Sequence, residues 1–174
     1  MENEQAILDK RAAAIAGNKA MQQDETRETL SVVEFLLIPE RYAIAGHFVR
    51  EVLPLTEITP IPGAPPFIMG VINMRGKIVS LINLKIKFSL KEKGLTDFNK
   101  VIILRNELME FGIVVDAIAG TRIIPMDAIS PPPLTLDKIA AELVIGVSTD
   151  GVILLDADKM LKSSQFIVNQ KSKQ

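Results

Sequence analysis

Cysteine and tryptophan are absent from this 174-residue chain, and histidine and tyrosine occur once each. Without cysteine there is no disulfide framework and no thiolate-ligated zinc, which fits a cytoplasmic location. A single histidine, His47, cannot build a multi-histidine metal site, and any serine nucleophile with a histidine base would have to use it. His47 stands beside Phe48 in an apolar neighbourhood and is expected to be a partly buried structural residue. An excess of charge is missing too: 20 basic residues face 21 acidic ones, for a net charge of −1. The basic residues are scattered, so no electrostatic footprint for nucleic acid or for an anionic membrane surface is present. No apolar run approaches the roughly 18–20 residues that span a bilayer. The opening stretch MENEQAILDKRAAAIAGNKA lacks the basic start and long apolar run of a secretory leader. A soluble protein without direct membrane insertion is expected.

What the chain has is apolar residues, 48% of the total, enough to bury a sizeable core. They fall into short runs. VVEFLLI (32–38) and YAIAG (42–46) flank Pro39-Glu40 as a hairpin, and HFVREVLPL (47–55) adds a short helical turn or a strand. TPIPGAPPF (59–67), with four prolines in nine residues, must be a loop pinned to a surface. GVINM (70–74) and KIVSLIN (77–83) are strands around Arg75-Gly76, and Asn83 is placed to cap a helical turn over 84–88. After a polar loop (91–100), VIILRN (101–106) and FGIVVDAI (111–118) form another hairpin. GTRIIPM (120–126) and the loop SPPPL (130–134) follow. LVIGVST (143–149) and VILLD (152–156) flank Asp150-Gly151, which reads as a tight primed turn. ADKMLKSSQF (157–166) closes the chain as a helix. KIVSLIN and GIVVDAI are apolar on both faces, so something packs on each side of those strands. No long helices separate them, which argues against a parallel doubly wound sheet. An all-β, barrel-like architecture with minor helical caps follows.

Residues 1–30 differ in texture. Ile7, Leu8, Arg11, Ala12 and Ile15 share one helical face, but Gly17 and Asn18 weaken it and QQDETRET reads as a polar linker. A mobile tail and a docking helix both remain open.

No catalytic constellation emerges from the sequence. Asp116, Asp156 and Asp158 have no partner in the sequence for acid–base work, and Asp156 reads as the cap of the closing helix. The Asp-x-Asp at 156–158 lacks the glycine and terminal glutamate of a calcium loop. GVINMRGK (70–77) superficially resembles a phosphate loop. However, it spaces Gly70 and Gly76 one residue too far apart and puts Ile78 where a hydroxyl residue belongs. Neither a metal nor a cofactor is expected. A chain with a good core, no catalytic set and one arginine set between apolar strands is a binding module by elimination. Whether Arg75 merely occupies a turn or is displayed to a partner stays open on these grounds.

FIMGVINMRGKIVSLINL (67–84) resembles the signature of the CheW family, adaptors of bacterial chemotaxis, whose pattern runs approximately F-x-x-G-x-x-N-L-R-G-x-I-x-P-V-x-D-L. Phe67, Gly70, Asn73, Arg75, Gly76, Ile78 and Leu84 match it, while Met74, Ser80 and Asn83 depart from it. The resemblance covers about 31–168, leaving 1–30 as an N-terminal extension and 169–174 as a tail. It implies two small five-stranded SH3-like β-barrels around a shared hydrophobic core, with short helices including a C-terminal one. It further implies a non-catalytic adaptor coupling chemoreceptors to the histidine kinase CheA, recruited from the cytoplasm to receptor arrays. Receptor-contacting positions would be Val49, Glu51, Gly70 and Arg75, with the CheA regulatory domain as the second partner. The kinase-facing surface is not assigned to residues. The alternatives are the same role in a CheA-like pathway controlling pili, development or second messengers and, more distantly, a small-molecule or nucleotide-binding enzyme.

Overall fold

The computed structural model describes Arg11, residues 27–92, 94–96 and 98–166. Apart from Arg11, the expected N-terminal helix and the tail over 169–174 lie outside the described residues. The strands are β1 (Thr29–Leu37), β2 (Glu40–Ala45), β3 (Val49–Pro54), β4 (Ile68–Met74), β5 (Lys77–Asn83), β6 (Lys100–Arg105), β7 (Glu110–Val115), β8 (Ala117–Pro125), β9 (Ile129–Ser130), β10 (Val144–Ser148) and β11 (Ile153–Leu155). Among the described residues from 27 onward, three short helices accompany them: α1 (Leu84–Lys87), α2 (Lys138–Glu142) and α3 (Ala157–Lys162).

The strands form two sheets, in the orders β8-β1-β2-β11-β10-β9 and β3-β6-β7-β5-β4. Both close on themselves. In the first, the terminal strands β8 and β9 are consecutive in the chain, bent apart by the 3-10 turn Met126–Ala128, so they act as one strand that joins the two edges. In the second, Thr59, five residues beyond β3, makes a bridge to Val71 of β4 with N–H···O bonds of 2.9 and 2.8 Å. The result is two five-stranded barrels of matching topology, each with one parallel pair, β2 with β11 and β5 with β7. They are interlaced: the second barrel (β3–β7) is inserted between β2 and β8 of the first.

The doubly apolar strands are explained by three cores. In β6, Val101 and Ile103 fill the second barrel, while Ile102 and Leu104 face the core shared between the barrels. In β5, Val79 and Leu81 point into the barrel and Ile82 into the shared core. In β1, Val32 fills the first barrel, and Val33, Phe35 and Leu37 face outward to the shared core. Alternate side chains thus enter different apolar compartments, so the sequence reads as a continuous run although the two-residue period of a strand is intact. Each buried Phe, Leu or Ile in these clusters contributes roughly 1.5–3 kcal/mol of transfer free energy, which holds the barrels face to face.

Several expectations are adjusted. The first strand begins at Thr29, and α2 arises in a stretch that carried no assigned element. The closing helix breaks after Lys162 and resumes as a 3-10 turn, Ser164–Phe166. His47 is exposed, tilted against Phe48 with ring centroids 4.1 Å apart, because it sits in the 3-10 turn Gly46–Phe48 at the head of β3. The primed turn is also elsewhere. At Asp150-Gly151 only the glycine has positive φ (86°), and Gly151 N–H closes onto Ser148 O at 2.9 Å. Between Met74 and Lys77, by contrast, both central residues are left-handed, Arg75 at 52° and Gly76 at 83°.

Candidate functional site

Met74 and Lys77 are directly paired, so Arg75-Gly76 is a two-residue loop with the φ values of a type I′ turn. That turn favours Asn-Gly, because a residue with a bulky side chain pays roughly 1–2 kcal/mol in the left-handed region. The chain places arginine there. Asn73, two residues earlier, accepts the Gly76 N–H on its side-chain oxygen at 2.9 Å and so steadies the turn. The Arg75 side chain is 76% exposed, and its Nη2 donates to Glu51 Oε2 at 3.1 Å. Glu51 lies on β3 and Arg75 at the tip of β4, the two edges of the sheet, so the pair exists only because the barrel closes.

Next to this pair is a second carboxylate. Glu110, at the start of β7, has a side chain only 5% exposed, and it receives Arg50 Nη1 at 2.6 Å and Lys77 Nζ at 3.1 Å. Burial by itself pushes its carboxyl upward, but hydrogen bonds from Arg50 and Lys77 outweigh that and hold it below the usual carboxylate range. The mouth of the second barrel therefore carries Arg50, Arg75 and Lys77 around Glu51 and Glu110. An open cavity of about 400 Å³ adjoins it, lined by His47, Phe48, Val49, Arg50, Arg105, Asn106 and Glu107.

Of the four residues that the resemblance singles out, three share this region: Val49 lines the cavity and packs on the shared core, and Glu51 and Arg75 are ion-paired. Gly70 is different. It is buried in β4 at φ +144°, and a Cβ there would lie 2.3 Å from the Thr59 carbonyl oxygen. It offers no surface of its own; its missing side chain lets the Thr59 bridge close the barrel beneath the hairpin. Arg50, Lys77 and Glu110 were not singled out from the sequence. Charged residues at the ends of the apolar runs of β5 and β7 were the available signal.

The opposite end of the second barrel holds a cleft of about 320 Å³ whose polar lining is mutually satisfied. Buried Lys85 and partly buried Asp116 form an ion pair at 2.6 Å, and Asp116 also accepts the Ile38 N–H at 2.7 Å. This carboxylate ties the β1–β2 turn to the second barrel and is not free for acid–base work. Asn83 caps α1, its Oδ1 accepting from Lys85 N–H at 3.0 Å, while its amide donates to Glu92 at 2.6 Å. An aspartate could cap equally well, but it would set two carboxylates against each other, which explains the asparagine at this position. Asp156 caps α3 by accepting the Lys159 N–H at 3.0 Å, and Asp158 pairs with Lys162 one turn on. Among the described residues, no cluster of His, Asp or Glu is placed to hold a metal ion, and no helix is long and apolar enough to cross a membrane.

A protein-family model for the CheW-like domain matches residues 31–165. The chain is similar to the chemotaxis protein CheW of Treponema pallidum, 32% identical over 146 residues, covering 80% of this chain and 86% of that protein. It is 32% identical over 130 residues to the protein FrzA of Myxococcus xanthus, covering 72% and 81%. Among solved structures, the scaffolding protein TtCheW from Thermoanaerobacter tengcongensis superposes with a TM-score of 0.69 at 31% identity, covering 79% of this chain and 96% of the other.

Proposed function

The chain belongs to the CheW-like domain family, and on that premise we propose that it is a scaffolding adaptor of chemotaxis that couples chemoreceptors to the histidine kinase CheA. It acts by binding and not by catalysis, in the cytoplasm, recruited to membrane-associated receptor arrays. The cytoplasmic tip of the receptor, a helical hairpin, meets the region of Val49, Glu51 and Arg75, with Gly70 setting the hairpin beneath Arg75. The CheA regulatory domain binds at a second surface.

The observation that carries the reading is Arg75. A bulky residue at φ 52° in a turn built for Asn-Gly is a local cost, and such costs concentrate where a side chain is needed for something other than folding. Arginine suits the task, since its planar fork and apolar stem serve both polar and apolar contacts in an interface. The test is a pull-down with a receptor-tip fragment and, separately, with the kinase regulatory domain. The wild-type chain should retain both partners. Arg75→Glu should stay folded, keep the kinase domain and lose the receptor tip; receptor binding undiminished in that variant would remove Arg75 from the interface.

The similarity to FrzA, a relative not named for chemotaxis, supports a second reading, in which the same adaptor serves a CheA-like pathway controlling pili, development or second messengers. Capture of this chain's native receptor and kinase from its own cells, followed by their identification, separates the two.

A further inference from the structure

The first barrel ends in a segment that reaches into the second. After β11 and α3 the chain forms the 3-10 turn Ser164–Phe166, and Phe166 is 2% exposed within the shared core. Its ring contacts belong to the second barrel. It stacks on Phe111 of β7, with centroids 5.5 Å apart and planes 13° apart, and meets Phe67 edge-on at 5.8 Å. Lys87 of α1 closes over this set: its Nζ lies 4.4 Å above the Phe67 ring and 5.6 Å from that of Phe166, and it donates to Gln165 Oε1 at 2.6 Å.

Two of these contacts touch the roots of the candidate site. Phe67 immediately precedes β4, and its carbonyl accepts the Asn83 N–H at 2.7 Å, so it joins both ends of the β4–β5 hairpin that carries Arg75. Phe111 directly follows Glu110, the carboxylate that holds Arg50 and Lys77. The hairpin joins its sheet through β5, which pairs with β7 over Leu81–Asn83, whereas on the free side of β4 the one strand bridge among the described residues is Thr59–Val71. Elements with few backbone partners are the ones whose placement side-chain packing decides.

We propose that Phe166, with Lys87 as its clasp, is a positioning residue for the proposed receptor contact: it anchors the first barrel's C-terminal segment on the base of the Arg75 hairpin and so sets that hairpin against the first barrel. The proposal rests on Arg75 meeting the receptor. It adds that the geometry of the contact is controlled from the other barrel, by a residue at the opposite end of the chain from β1.

The test uses the full chain as wild type, Phe166→Ala, Phe166→Leu and Lys87→Met, and measures two things on each. Amide hydrogen exchange of the free protein reads the grip, and titration with a receptor-tip fragment reads its consequence. In Phe166→Ala, exchange in β4–β5 is expected to accelerate about tenfold more than in β1–β2, and receptor affinity to fall about tenfold. Phe166→Leu should recover most of both, and Lys87→Met should lose about threefold in affinity with a smaller exchange effect. Should Phe166→Ala fail to fold, Lys87→Met still decides, because it leaves the core filled while removing the contact over Phe67 and the bond to Gln165. Equal acceleration in the two barrels would make Phe166 ordinary core, and unchanged β4–β5 exchange in Lys87→Met with unchanged affinity would overturn the clasp. A wild-type chain that ignores the receptor tip would sink the receptor reading itself, while the exchange measurement would still report on the grip.

Discussion

The β4–β5 hairpin of the second barrel and the β10–β11 hairpin of the first occupy corresponding places in their sheets, yet their turns are treated in opposite ways. Each opens on a glycine over which a backbone carbonyl passes, Thr59 O at Gly70 and Ser130 O at Gly146, both 2.3 Å from where a Cβ would stand. Each ends in a residue that caps a short helix, Asn83 and Asp156. At the tips they diverge. Asp150 is held by two bonds from Arg122 (2.7 and 2.8 Å) and by the Ser148 hydroxyl (2.6 Å), and its backbone carbonyl accepts from Arg41 at 2.6 Å. Arg122 first, then Ser148, hold the Asp150 carboxyl well below the usual carboxylate range. Arg75 has one ion pair and is mostly exposed. The same frame thus yields a turn locked into its own barrel and a turn whose tip side chain stands in solvent. The difference lies both in the loop, two residues with both left-handed at Arg75-Gly76 against three with one left-handed glycine before Val152, and in the side chains around the tip.

The largest break in the shared frame should come from the glycines. Gly70→Ala should cost about 3 kcal/mol, because a carbonyl cannot yield as a flexible side chain would and φ +144° is unfavourable for alanine. Gly146→Ala has the steric term without that φ and should cost about 2 kcal/mol. Urea unfolding ranks them; a Gly146→Ala loss exceeding that of Gly70→Ala would contradict the account of both.

An intermediate effect is expected at the locked tip. With its folded-state pKa depressed, Asp150 adds stability that is fully present at neutral pH. That stability declines as pH falls below the ordinary carboxylate value of about 3.9, because the unfolded chain then takes up the proton first. Asp150→Asn should therefore cost about 1 kcal/mol at pH 7, a figure discounted for solvent exposure. The variant and wild type should converge in acid, as read from urea midpoints across pH. A gap that stays constant down to about pH 2 would assign the loss to the turn and not to the charge.

At the displayed tip the smallest change has the opposite sign. Arg75→Asn restores the residue a type I′ turn prefers and should gain about 0.5 kcal/mol after loss of the exposed pair with Glu51. It should nevertheless abolish retention of the receptor tip. Destabilisation in thermal unfolding would show that Arg75 serves its own turn.

Much of this organisation is legible in the chain. The hairpins at 32–46, 70–83, 101–118 and 143–156 follow from apolar runs and turn residues, and the caps Asn83 and Asp156 follow from their position ahead of helical turns. The exposure of His47 is not legible, because an apolar neighbour in sequence says nothing about whether a 3-10 turn will lift the ring into solvent. Sequence alone favours a primed turn at Asp150-Gly151 over Arg75-Gly76, because aspartate visits positive φ more readily than arginine does. At that hairpin the loop is one residue longer and a single left-handed glycine suffices, so Asp150 keeps ordinary backbone and spends its side chain on Arg122.

By itself the sequence determined the four hairpins, the absence of disulfides and of any multi-histidine metal site, and the motif that identifies the family. All of these depend on residue type and short-range spacing. Tertiary structure alone decided which partners those residues meet. The Arg75–Glu51 pair spans 24 positions and needs a closed barrel, Arg122 and Asp150 meet across 28, and Phe166 reaches Phe67 only because one barrel is threaded through the other. Such contacts are set by how sheets close and pack, a property of the whole chain that no local pattern carries.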